Sequence, residues 1–209
     1  MLQRILVWDL PTRVFHWSFA LSFAGAYLTA ESERYRDIHL ALGYVFLGML
    51  VFRLVWGLVG TAYVRFRAFW FKPAEIVAYL RALLSPQPQH YVGHNPAGGV
   101  AIFLLLALGL LISVSGLGLY WEIGDEDWFE ELHEIAANVM LLVVGVHIAG
   151  VLVSSVLHKE NLVRAMLTGY KTADTENVIV RPYRGLGLWM LGGAIVFLMI
   201  YLGIPLSFV

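Results

Sequence analysis

Five stretches, at roughly 12–30, 38–60, 97–119, 131–156 and 186–206, carry almost no charge over about twenty residues each. An α-helix of that length rises by ~30 Å, the thickness of the hydrocarbon core of a bilayer. The fold class that follows is all-α, an integral membrane helical bundle. Composition agrees, because only 14% of the residues are charged where a soluble domain averages about 25%. The first stretch has no small-residue cleavage site and carries His16 and Trp17 near its start, so it reads as a retained helix rather than a signal peptide. Asp9 can cap it and Pro11 can sit in its first turn.

Sidedness follows from the Lys and Arg residues between the spans. The N-terminal segment has Arg4 and Arg13, the second connection Arg65, Arg67, Lys72 and Arg81, and the fourth Lys159, Arg164, Lys171, Arg181 and Arg184. The first connection has only Arg34 and Arg36, and the third connection and the C-terminus have none. The positive-inside rule therefore puts the N-terminus in the cytoplasm and the C-terminus outside, as five spans require. The second connection, residues 61–96, is long for a bundle loop. Within it Lys72-Pro73-Ala74-Glu75 followed by Ile76, Val77, Leu80, Leu83 and Leu84 reads as a short amphipathic helix, either lying in the interface or packed on the bundle.

Cysteine is absent, which excludes disulfides, thiolate clusters, Cys-held zinc and covalently attached haem. A cofactor must be held by His, Met or oxygen. Of the seven histidines, four fall inside the spans, where ionisable groups are expensive and point to function. His133 and His147 share the fourth span, 14 residues apart, which separates them by ~21 Å and returns them to within ~40° of one helix face. With the N-terminus inside, His133 lies at the external end and His147 toward the cytoplasm. His39 opens the second span at the external face, and His16 lies about one turn into the first span at the cytoplasmic face. Each half of the membrane thus holds two histidines from two helices: His39 with His133, and His16 with His147. Paired imidazoles at two depths are what two bis-His b-type haems need, one axial nitrogen from each side of each iron. A zinc site would instead gather three or four ligands at one depth, often with carboxylates. Gly43, Gly145 and Gly150 could let a macrocycle approach the backbone.

Several short patterns occur in a fixed order: Val14-Phe15-His16-Trp17, His39 to Gly43-Tyr44, Arg53-Leu54-Val55-Trp56-Gly57, Gly93-His94-Asn95-Pro96, and His133-Glu134 to His147 followed by His158-Lys159-Glu160-Asn161-Leu162. Together they resemble the prokaryotic cytochrome b561 family, which includes di-haem b-type cytochromes and the cytochrome b subunits of nickel–iron hydrogenases. The resemblance covers the first four spans and implies haem ligands at His16, His39, His133 and His147, in agreement with the pairing by depth. It divides the chain into a four-helix di-haem core, residues 1–171, and a connection with a fifth transmembrane helix, residues 172–209. It also implies a bacterial inner membrane location and a quinone as mobile substrate.

The remaining polar groups keep two readings each. Arg53 follows His39 by 14 residues, at the depth of the inner pair, where a haem propionate or the cytoplasmic interface would receive its charge. His94 and His158 fall at cytoplasmic span ends, where they could bond propionates, relay protons to a quinone or serve the interface structurally. His90, in a Pro- and Gln-containing loop, reads as solvated. The expected function is electron transfer between a periplasmic redox partner and the quinone pool. A self-contained superoxide oxidase that reduces quinone is the alternative. Ten acidic residues on the external side (Glu31, Glu33, Asp37, Glu122, Asp125, Glu126, Asp127, Glu130, Glu131, Glu134) against Arg34 and Arg36 favour a basic partner, such as a c-type cytochrome or complex subunit, over a small anion. A net charge of −1 gives no reason to expect nucleic acid, and a homo-oligomer stays open.

Overall fold

The computed structural model describes residues 3–83, 89–174 and 179–204. In chain order they form β1 (Gln3–Leu6), α1 (Leu10–Thr29), α2 (Arg36–Val59), α3 (Pro73–Ala82), α4 (Pro96–Tyr120), α5 (Glu126–Leu157), α6 (Leu162–Thr168), β2 (Tyr170–Ala173) and α7 (Arg184–Tyr201). Leu84 and the end of the expected fifth span, Pro205 and Leu206, lie outside the described residues. Among the described residues, four helices are long and apolar enough to cross a membrane: α2 with the 3-10 turn before it, α4, α5 and α7. The chain is a helical membrane protein. The first expected span forms as α1, 20 residues long, but Arg13, His16, Ser18 and Ser22 dilute its apolarity.

The helix ends have local causes. Pro73 begins α3, and the Lys72 amide donates to the Glu75 carboxylate at 2.6 Å, the acceptor half of a capping box. At α4 the Asn95 side-chain oxygen accepts from the Gly98 amide at 2.7 Å, and at α6 Asn161 accepts from Arg164 at 2.7 Å. Gly169 closes α6 at φ 89°, a left-handed cap that glycine adopts without a Cβ penalty. The fourth expected span starts earlier than its apolar stretch, at Glu126 instead of residue 131. Asp125 accepts from the Trp128 amide at 3.2 Å, and carboxylates in a first turn oppose the positive end of the helix dipole. Hydropathy marks where lipid begins, and this helix extends beyond it.

The chain divides into two compact units. The first takes the described residues within 1–9, 55–108 and 138–182. Here β1 and β2 pair antiparallel, Gln3 opposite Ala173 and Leu6 opposite Tyr170, with the Arg4 guanidinium 4.3 Å from the Tyr170 ring centre. The hydropathy pattern anticipates neither the ribbon nor α6. Asp9 is fully buried and accepts from Thr61 Oγ1 at 2.6 Å and Trp56 Nε1 at 3.2 Å, joining the segment before α1 to the end of α2. On α3, Tyr79 is buried while Val77 and Leu80 are about half exposed, so the helix both packs on its unit and keeps an apolar outer face.

The second unit takes the described residues within 10–54, 109–137 and 183–209. Its core stacks Phe19 of α1 on Phe46 of α2 at 4.1 Å, and a Cβ at Gly109 of α4 would lie 3.2–3.3 Å from both rings. There α7 packs on α1, where Gly187 meets Leu10 so closely that a Cβ would lie 2.6 Å from Leu10 Cγ.

Asp9→Ala removes the acceptor of two donors inside the first unit. The expected cost is about 1–3 kcal/mol, read as a lower unfolding midpoint of the detergent-solubilised protein, with Asp9→Asn falling between variant and wild type.

Candidate haem site

His39 lies in the first turn of α2 and His133 in the second turn of α5, both half-buried and both in the second unit. Their ring centres are 6.2 Å apart and the ring planes differ by 66°. His39 Nδ1 lies 2.9 Å from the Ala26 carbonyl oxygen. His133 Nδ1 lies 3.1 Å from the Ile112 carbonyl and 3.1 Å from Ser115 Oγ. A carbonyl only accepts, so each Nδ1 carries the proton and each Nε2 keeps its lone pair, the tautomer in which a neutral imidazole ligates a metal.

Each carbonyl is available for a reason. Ala26 lies in the last turn of α1, where carbonyls lack helical partners, and Thr29 Oγ1 also donates to it at 3.1 Å. On α4, Ser115 is fully buried and donates to the Leu111 and Ile112 carbonyls at 2.8 and 3.2 Å. The next residue, Gly116, admits the His133 ring: a Cβ there would lie 3.0 Å from Cε1 and 3.3 Å from Nδ1. A Cβ at Gly118 would sit 2.7 Å from the Phe129 ring. Small residues of α4 thus let the start of α5 approach closely. Sequence reasoning misses Ala26, Ile112, Ser115 and Gly116; the small residues between Ser113 and Gly118 are the visible signal.

This geometry fits haem. Metal–imidazole nitrogen bonds of about 2 Å on either side of one iron place two ring centres ~6 Å apart, as found here. A Cβ at Gly43, one turn after His39, would meet nothing within 4 Å, so the backbone there is open to a flat ligand. No group of three or more His, Cys, Asp or Glu suited to a metal occurs among the described residues.

The other predicted residues fall as follows. His16 is on α1 in the second unit and His147 on α5 in the first, both half-buried. Arg53, on α2, is 3% exposed, and its guanidinium lies 5.9 Å from the Phe15 ring centre. His94 sits between Trp8 and Phe69, its ring centre 4.6 Å from each. His158 follows α5 directly and stacks edge-on to His90 at 5.2 Å. His90, expected to be solvated, is partly exposed yet bonds Glu160 at 3.3 Å. That contact joins residues 70 positions apart, which local composition does not encode.

A bundle of membrane helices that presents paired imidazoles with free Nε2 atoms defines the class of b-type membrane cytochromes. The family model described as prokaryotic cytochrome b561 matches residues 7–169, and the chain belongs to that family. A probable Ni/Fe-hydrogenase B-type cytochrome subunit of Azotobacter vinelandii is 26% identical, with 80% of this chain and 88% of the relative aligned. Its counterpart in Rhizobium leguminosarum bv. viciae is 27% identical over the same shares. A probable Ni/Fe-hydrogenase 1 B-type cytochrome subunit of Escherichia coli K12 is 29% identical over 56% of this chain and 60% of the relative. No solved structure matches.

If His39 with His133 and His16 with His147 each hold one haem, His39→Ala or His133→Ala should remove one of two, counted by pyridine haemochrome assay, and His16→Ala or His147→Ala the other. Loss of both haems equally from all four folded variants would refute separate sites. Ser115→Ala and Gly116→Ala should weaken retention at the first site on the order of tenfold, the usual effect of disturbing a ligand's own hydrogen bonds.

Proposed function

We propose that the protein is a di-haem b-type cytochrome passing electrons between a redox partner on one face of the membrane and the quinone pool. The observation that carries this reading is the His39–His133 pair, with 6.2 Å between ring centres and both Nδ1 atoms committed to backbone carbonyls. His16 and His147 are the ligands proposed for the second haem. Their support is the family match and the 14-residue spacing from His133 on α5. When bound, the haems supply one-electron transfer, at potentials tuned by the protein around them.

The chain's own residues fix the imidazole orientation and supply charge. Arg53 is buried, and a cation inside a membrane protein needs an anionic partner, so a propionate of the haem at His16 and His147 is its proposed counter-ion. His94, held between two aromatic rings, is proposed to bond the same cofactor's edge. In the proposed orientation, in a bacterial inner membrane, the N-terminus is cytoplasmic and the C-terminus periplasmic, by the distribution of Lys and Arg. Residues 1–171 form the proposed di-haem core, and 172–209 add the connection and fifth helix.

All ten acidic residues of Glu31–Asp37 and Glu122–Glu134 are exposed and belong to the unit that holds His39 and His133. That surface suits a basic redox protein and repels an anion such as superoxide. The relatives' names make a hydrogenase the leading class of partner. The acidic groups of α5 are proposed to guide its docking.

A reduced-minus-oxidised spectrum with haem quantitation tests the reading: two low-spin haems per chain are expected, and a single haem or a high-spin centre would overturn it. Arg53→Leu should lower the potential of one haem by tens of millivolts, the scale of a unit charge ~10 Å away in an effective dielectric of ~20, with the other unmoved in a redox titration. Neutralising Asp125, Glu126 and Asp127 to Asn and Gln should slow exchange with a basic partner such as a c-type cytochrome at low salt, by tenfold or more. Both haem spectra should stay intact. Wild-type exchange indifferent to salt would count against docking there.

A further inference from the structure

At the end of α5 remote from His133, within the first unit, titratable groups from four segments converge. His90 and Tyr91 come from the loop before α4, His158 and Glu160 from the residues after α5, Lys171 from β2 and Tyr79 from α3. Glu160 Oε2 accepts from Lys171 Nζ at 3.0 Å and bonds His90 Nε2 at 3.3 Å. The Lys171 side chain is 3% exposed, Glu160 18% and His90 42%. A cavity of about 30 Å³ lies among them, lined also by Asn95 and Ser154. Tyr79 is buried, and burial pushes its phenol up from the usual tyrosine range.

A buried Lys–Glu pair alone would need no more than a structural explanation. Three features go beyond it. The carboxylate oxygen that holds Lys171 is also shared with a histidine open to water. The cavity is polar and exceeds the ~10–15 Å³ that one water requires. The second histidine, His158, stacks on the first at 5.2 Å and lines the same cavity. Burial holds the His158 imidazole below its ordinary range, with His90 and Lys171 adding to that effect and Glu160 opposing it. It is therefore neutral at pH 7 and able to accept a proton. His90, His158, Glu160 and Lys171 all line the cavity. His158 follows His147 by 11 residues, ~16 Å of helix rise.

We propose that His90, Glu160 and His158, with Lys171 anchoring the Glu160 carboxylate by its hydrogen bond, form a proton-transfer site for quinone chemistry at this end of α5. The inference rests on the quinone reading above. Reduction of a quinone to the quinol takes two electrons, delivered from the redox partner through the cytochrome, and two protons, which form O–H bonds at the two carbonyl oxygens. The cluster supplies those protons from the adjacent water and returns them when the quinol is oxidised.

The test uses the full-length, haem-loaded protein, pre-reduced and freed of reductant, then mixed with decyl-ubiquinone or a short-chain naphthoquinone between about pH 5 and 8, where histidines titrate. Wild-type reoxidation should slow as pH rises and the donors deprotonate. His158→Gln and His90→Gln should each slow it several-fold at low pH and flatten that dependence. Glu160→Gln alone strands a buried ammonium, so it is paired with Lys171→Gln. A second readout is independent of turnover: the histidine ring nitrogen titration followed by NMR on the intact protein. Removing Glu160 and Lys171 together should shift the His158 midpoint, and His90→Gln should raise it. Wild-type rates and pH profile in both histidine variants would overturn the inference, as would a slower rate with an unchanged profile, the mark of a structural role. A wild-type haem that neither quinone reoxidises overturns the quinone reading and this inference with it.

Discussion

A histidine ligates a metal through one nitrogen only when the other is told what to do, and here two backbone carbonyls give that instruction. Ala26 and Ile112 hold the protons of His39 and His133 on Nδ1. The bonds draw on different resources. One carbonyl is a leftover of a helix end, and the other is a mid-helix carbonyl that also accepts from the buried Ser115. Where α1 stops, how α4 exposes its backbone, and how near α5 comes all answer to this pair of contacts.

That dependence explains the residue sizes around the site. Large aromatic side chains fill the second unit away from the histidines, as in the Phe19–Phe46 stack. Near His133 the neighbouring helix offers Ser115, Gly116 and Gly118 instead. Any side chain at Gly116 competes with the imidazole for the same few tenths of an ångström. Asp9 performs a comparable task in the first unit, where one buried carboxylate fixes an indole and a hydroxyl from residues 56 and 61.

The meeting of His39 and His133 is legible because its signal is a spacing and a depth, both of which survive in one dimension. His39 and His133 each open an apolar stretch on the same side. The helices of the membrane are legible because hydropathy is additive over twenty residues. What escapes is what depends on partners distant in sequence. Strands of four residues, β1 and β2, carry no periodicity to read, and they exist because each pairs with the other across more than 160 positions. Gly116 looks like any membrane glycine until a ring is set against it. The Pro- and Gln-containing loop around His90 suggests solvent, and the ring is indeed exposed, but its bond to Glu160, 70 residues away, leaves no local trace.

The β ribbon also changes how the chain can be divided. The amides of Val7 and Trp8 both donate to the carbonyl of Gly169, at 2.9 and 3.0 Å, and residues 7 and 169 are the limits of the family match. The first and last residues of the matched module are therefore stitched to each other, so the module is topologically a closed loop fastened at its base. In such a loop the covalent ends are interchangeable with any other break in a surface connection. α7 follows the fastening, and from outside the matched residues it reaches back to pack on α1.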